Sequence, residues 1–146
     1  MTIDDSGKKW WTGSEPSDIG EYLSALSAES YAIDEFRLAH CSCGCNRFSL
    51  KWLSADGAVQ RICADCSTPH FICDSEENWE GKSRTYKCVG CHSPHANVGV
   101  GYSLYEGSTA VHWLFVGVRC SQCGILGCVA DWKIGYEPSL QLLEQA

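Results

Sequence analysis

Residues 14–29, SEPSDIGEYLSALSAE, place Ile19, Tyr22, Leu23 and Leu26 at i, i+3, i+4 and i+7, which predicts a short amphipathic helix. Ser17 is its predicted N-cap, with Pro16 just outside. After residue 40 the period changes. Apolar runs of strand length come in twos, each pair split by a polar turn containing glycine. FSLKWL, SADGA and VQRI form the first set; ANVGVGYSLY, EGSTA and VHWLFVGVR form the second. Both sets are rich in Val, Phe, Trp, Tyr and Leu with partial alternation, so each predicts a β-hairpin. The glycines of VGVGYSLYEG do not complete a phosphate-binding loop and are expected in a strand beside a close backbone neighbour. Phe36, Leu38 and His40 share one face of a lead-in strand, and the tail EPSLQLLEQA predicts one amphipathic turn through Leu140 and Leu143.

Cysteine pairs bracket both hairpins. Cys63 and Cys66 close the first, after a cluster of Cys41, Cys43 and Cys45; Cys88 and Cys91 open the second, and Cys120 and Cys123 close it. Two residues between thiolates let a tight turn aim both sulfurs at one ion, about 2.3 Å away, at tetrahedral angles. Four pairs make two four-cysteine sites and imply two structural zinc ions, with iron the competing metal for the same geometry. Each closing pair runs on into an apolar stretch with one more cysteine and an acid, HFICD and LGCVAD, so the chain reads as two tandem units of one plan.

These knuckles resemble those of the zinc-ribbon, or rubredoxin-like, group, in which two Cys-pair knuckles are presented by β-hairpins and a glycine often follows the second cysteine. C-S-C-G and C-S-Q-C-G match that pattern; Ser67 and His92 stand where the other two knuckles would have glycine. The resemblance implies a small metal-bound, mainly β fold: an N-terminal helical cap and lead-in strand (1–40), a first ribbon (41–81), a second ribbon (82–136) and a tail (137–146). It also bears on the crowded cluster. If Gly44 follows the second ligand, the pair is Cys41 and Cys43, which is preferred; the rival pair is Cys43 and Cys45. Sequential use of Cys41, Cys43, Cys63 and Cys66, then Cys88, Cys91, Cys120 and Cys123, is expected, with interleaved pairing as the alternative. The helical cap is expected to cover an open face of the first ribbon, with Trp10 and Trp11 packed beneath it or exposed as an anchor. More faintly, EFRLAHCSCG, HFICDSEENW and DWKIGY resemble a family of small bacterial proteins, and some acidic bacterial proteins of this size are immunity partners of secreted toxins.

Composition changes this picture in two ways. At 146 residues and 45% hydrophobic the chain suits one compact domain or two very small ones. No run approaches the roughly 18 apolar residues of a membrane span, and MTIDDSGKKWW lacks the apolar core of a secretory signal, so a reducing cytoplasm is expected, where paired cysteines bind metal. Eighteen acids face eleven bases, a net −7. Each four-thiolate zinc site adds a net −2, which takes the total to about −11. Such a charge disfavours phosphate binding, which needs clustered Lys and Arg, and favours a protein partner with a basic surface. Trp79 with Glu76, Glu77 and Glu80 in DSEENWE is the expected contact, in an inhibitor or immunity-type protein. Two other classes stay open. One is a nucleic-acid-associated regulator using Lys82, Arg84 and Lys87. The other is a thiol enzyme or redox sensor using Cys73 or Cys128 with His70 or His95. No familiar catalytic signature is present, and four-sulfur sites leave the metal no open position.

Overall fold

The computed structural model describes residues 3–4, 10–28, 30–53, 57–79, 81–105, 110–134, 136 and 139–146. In chain order the elements are β1 (Ile3–Asp4), β2 (Thr12–Gly13), α1 (Asp18–Ser27), β3 (Glu35–Leu38), β4 (Phe48–Leu53), β5 (Ala58–Cys63), β6 (Pro69–Phe71), β7 (Arg84–Thr85), β8 (Ala96–Leu104), β9 (Val111–Cys120) and β10 (Leu126–Lys133). Turns of 3-10 helix lie at Ser75–Asn78 and Leu140–Glu144. Both predicted hairpins form, β4–β5 in register from Phe48↔Cys63 to Leu53↔Ala58 and β8–β9 from Ala96↔Cys120 to Leu104↔Val111. Each gains a third strand from the apolar run after its closing cysteines, β6 on β5 and β10 on β9.

The two units share one antiparallel eight-stranded sheet, ordered β10-β9-β8-β4-β5-β6. They meet at the pair Phe48↔Ala96. Beyond that point the lead-in strands cross over: β3, which precedes the first unit, pairs with β8 of the second, and β7, which precedes the second, pairs with β4 of the first. The crossing is symmetric in detail. Ala39 donates its N–H to Val98 O and Tyr86 donates its N–H to Leu50 O, both at 2.9 Å. Ala39 stands two residues before Cys41, and Tyr86 two before Cys88. Each unit is therefore stitched along its open edge by the other.

Strand alternation sorts the side chains. Phe48 and Leu50 of β4, Val59 of β5, and Val98, Val100 and Tyr102 of β8 face one core, and all are essentially inaccessible. The opposite face of β8 and β9 carries Gly99, Gly101 and Gly117. A Cβ on Gly99 would lie 2.5 Å from the Phe36 ring, and one on Gly117 2.6 Å from Ile19 Cγ2. These glycines are the seat of α1 and of Phe36. The close neighbours expected from the sequence are thus side chains rather than backbone, and the helix covers the second cysteine-bracketed unit rather than the first. Fully burying Ile19 and Leu23 there stabilises the fold by about 1.5–3 kcal/mol each. Leu26, the fourth member of the apolar stripe, stays 54% exposed.

Ser17 makes no side-chain cap bond. The first helical N–H groups, of Asp18, Ile19 and Gly20, instead bond the carbonyls of Glu15, Pro16 and Ser17, each at 3.1 Å. The buried Asp18 holds the turn before the helix, its Oδ2 accepting the N–H groups of Ser14 (2.9 Å) and Glu15 (3.0 Å). Trp11 packs edge-on against Tyr22, ring centroids 5.8 Å apart, while Trp10 is exposed. The tail belongs to the core. Leu142 is buried and its carbonyl accepts the Tyr102 O–H at 2.7 Å; Ser139 Oγ accepts the Val111 N–H at 2.7 Å. Arg61, stacked 4.7 Å over the Phe48 ring, donates to Ala146 O from Nε (3.2 Å) and Nη2 (2.9 Å).

Candidate metal centres

Each knuckle is a short strand end folded back by backbone hydrogen bonds. In the two closing knuckles the N–H of the residue after the second cysteine returns to the first: Ser67 N to Cys63 O and Gly124 N to Cys120 O, both at 3.0 Å. The opening knuckles use the same device, His92 N to Cys88 O at 3.0 Å and, across the one-residue-shorter C-x-C, Gly44 N to Cys41 O at 2.9 Å. That following residue has positive φ every time: Gly44 at 92°, Ser67 at 62°, His92 at 65° and Gly124 at 84°. Two knuckles thus adopt with a side chain the bend that glycine makes easily.

The bends assemble two groups. Cys41, Cys43, Cys63 and Cys66 have their sulfurs within 4.8 Å of one another, as do Cys88, Cys91, Cys120 and Cys123. The shortest gaps are 3.4 Å (Cys41–Cys66), 3.6 Å (Cys43–Cys63) and 3.5 Å (Cys88–Cys123 and Cys91–Cys120). A tetrahedron of sulfurs 2.3 Å from a central ion has edges of about 3.8 Å, so each group fits one metal ion. Within each pair one cysteine is buried and one exposed. The sets are sequential, one per unit, and Cys45 stands outside: its sulfur accepts the Arg47 N–H and donates to Arg47 O, both at 3.4 Å.

Ionisation follows the same geometry. Backbone N–H groups of Cys66 and Asp65 aimed at the Cys63 sulfur hold that thiol down at about 6. Burial opposes Cys120, yet the backbone of Cys123 and Gln122 brings it to about 6 as well. Neighbours move the other way. The Cys45 backbone favours the Cys43 thiolate, but sharing a proton with Cys63 and Cys41 pushes it up to about 12. Burial, then contact with Cys88 and Cys91, pushes Cys123 to about 12. Four sulfurs this close cannot all ionise unless a cation sits among them.

The remaining thiols are of another kind. Cys73 is buried beside Tyr102 Oη (3.4 Å), and burial pushes it to about 12; burial does the same to Cys128. A thiol held protonated at neutral pH is a poor nucleophile. His70 Nε2 lies 3.0 Å from Gln145 O, and His95 holds the closing knuckle through its carbonyl, which accepts Ser121 N–H and Oγ–H at 3.2 and 3.1 Å.

Of the expected contact residues, Glu76 and Glu77 are exposed on the 3-10 turn, and Trp79 is half-buried edge-on against Phe71 at 5.3 Å; Glu80 lies outside the described residues. Asp74 has a role the sequence reading missed. Its carboxylate accepts the Trp132 Nε1–H at 3.0 Å and the Tyr136 O–H at 3.2 Å, tying this turn to the second unit. The acid that follows each extra cysteine was the visible signal, since Asp131 likewise accepts the Trp113 Nε1–H at 2.8 Å.

Fold and site together define a mainly β protein with one short helix and two four-cysteine groups capable of holding metal. Compared with protein-family models, curated proteins and solved structures, the chain matches none. No helix among the described residues is long and apolar enough to cross a membrane.

Proposed function

We propose that the two groups hold structural zinc in a tandem zinc-ribbon scaffold, and that the protein acts by binding and masking a basic protein partner, as an inhibitor or immunity-type protein does. The observation that carries this reading is the closure of both sites. All eight sulfurs converge in fours, which leaves a bound ion no position for water or substrate. Function then falls to the surface, and its sign is negative, −7 before metal and about −11 with two tetrathiolate zinc sites. Glu76 and Glu77, exposed beside Trp79, supply charge for steering next to an aromatic anchor. The test is association of the zinc-loaded protein with basic and acidic probe proteins across salt. Binding confined to basic probes and weakened by salt supports the reading; no charge preference overturns it.

A second reading has one observation in its favour. Lys51, Lys82, Arg84 and Lys87 are all exposed, and Arg84 lies opposite the half-buried Trp52 where β7 pairs with β4. A basic strip beside an aromatic ring suits a single-stranded nucleic acid. Tight, salt-sensitive binding to RNA or DNA, lost on substituting these four residues, would replace the first reading by this one.

A further inference from the structure

β3 pairs along one edge only, with β8, and among the described residues no strand lies on the other. Ala39 donates to Val98, so by the alternation of an antiparallel ladder Arg37 and Glu35 face β8, and Phe36 and Leu38 turn their peptide groups outward. The Phe36 carbonyl is met by its own neighbour, Arg37 Nη1, at 3.1 Å, which leaves its N–H and both groups of Leu38 along the edge. This edge borders an open groove of about 510 Å³ between α1 and the chain entering β3. On the helix side Ser24 and Ala25 keep the wall low, while Gly20 packs on the Phe36 ring, where a Cβ would lie 3.0 Å away; Ile33, Phe36 and Trp11 complete the apolar lining. The rim carries Glu21, Asp34 and Glu35. Arg37 neutralises Glu35 at 2.9 Å, and the Asp34 carboxylate accepts the Leu104 N–H of β8 at 2.8 Å; Glu21 is exposed and has no ion pair among the described residues.

We propose that this groove binds an extended basic peptide segment, which adds a strand to the free edge of β3. Outward N–H and C=O groups supply sequence-independent hydrogen bonds. Alternate side chains of the incoming strand drop onto Ile33, Phe36 and Ala25, and the others, lysine or arginine, meet Glu21. The low helix wall is what gives a strand room to lie there. The proposal rests on the reading of a basic protein partner and names where that partner is held.

The probes are two short fluorescein-labelled peptides, one of alternating lysine and valine and one of alternating glutamate and valine, titrated into the zinc-loaded full chain. The lysine peptide should bind more weakly as salt rises and should shift the amide resonances of Phe36 and Leu38; the glutamate peptide should not bind. Glu21→Lys and Ser24→Arg sit on the exposed helix face and should each weaken binding by about tenfold or more with metal content unchanged. Leu38→Pro, which removes an outward N–H at an edge that tolerates proline, should abolish it. Wild-type affinity in the two helix variants overturns the groove. Loss of binding on reversing Glu76 and Glu77 instead also overturns it, but leaves the basic-partner reading standing. Failure of the lysine peptide to bind overturns the groove as well, and with no charge preference among the basic and acidic probe proteins both fall. A concentration-dependent dimer broken by Leu38→Pro would put a second copy on the edge and overturn the peptide assignment.

Discussion

Gly44, Ser67, His92 and Gly124 occupy one equivalent position in four knuckles, and the left-handed bend there tests each of them differently. A side chain in this region costs about 1 kcal/mol or more against glycine. His92→Gly should therefore stabilise the zinc-loaded protein by about 0.5 kcal/mol, the relief being partly offset by a more flexible unfolded chain. Gly44 has nothing within 4 Å of a would-be Cβ, whereas one on Gly124 would stand 2.6 Å from Gly13 O. Gly124→Ala should accordingly lower the denaturation midpoint more than Gly44→Ala. Among the sulfurs, Cys41→Ser should lose one metal ion per chain and Cys45→Ser none, read by elemental analysis. The thiols of Cys63 and Cys120, lowered from the ordinary 9.0 to about 6, give metal retention its pH dependence. A group whose folded value is depressed stabilises the fold above its unfolded value and loses that contribution as pH falls through the folded one. Protons compete with metal in the same direction. Metal should thus be kept at neutral pH and released on acidification, measured with a chromophoric chelator.

The strands show which features can be read from a linear chain. Cysteine spacing and the two hairpins were legible because they are local: Phe48↔Cys63 and Ala96↔Cys120 follow from a turn between neighbouring apolar runs, whereas HFICD and LGCVAD showed as apolar stretches without their strand pairing. The exchange of β3 and β7 was not, since nothing in EFRL or RT says that its edge partner lies in the other unit. The helix period was plain, but its docking surface depended on three glycines far along the chain. Gly117→Val should push α1 off that seat and cost about 1–3 kcal/mol, with hydrogen exchange rising across 18–27. The tail was read as a single turn because Leu140 and Leu143 mark its period, yet the buried residue is Leu142, whose place depends on Tyr102. Leu142→Ala should cost about 2–5 kcal/mol, seen as a lowered urea midpoint.

At the scale of the molecule, two small units with one shared sheet are each closed at the knuckle end by four sulfurs. Metal-binding energy is then folding energy. Because β3 and β7 cross between units, chelation at either site should loosen both, giving one cooperative loss of near-ultraviolet dichroism rather than two separate steps. Reversing charge at Glu76 and Glu77 should slow association with a basic partner and flatten its salt dependence while leaving metal content intact. All of this rests on the metal centres, and native mass spectrometry of the purified full chain reads them directly. The predicted result is a single species carrying two zinc ions, eight cysteines protected from alkylation and three others, Cys45, Cys73 and Cys128, modified once the fold is opened without removing metal. A chain with one ion or none, or with disulfides linking the knuckle cysteines, would contradict it.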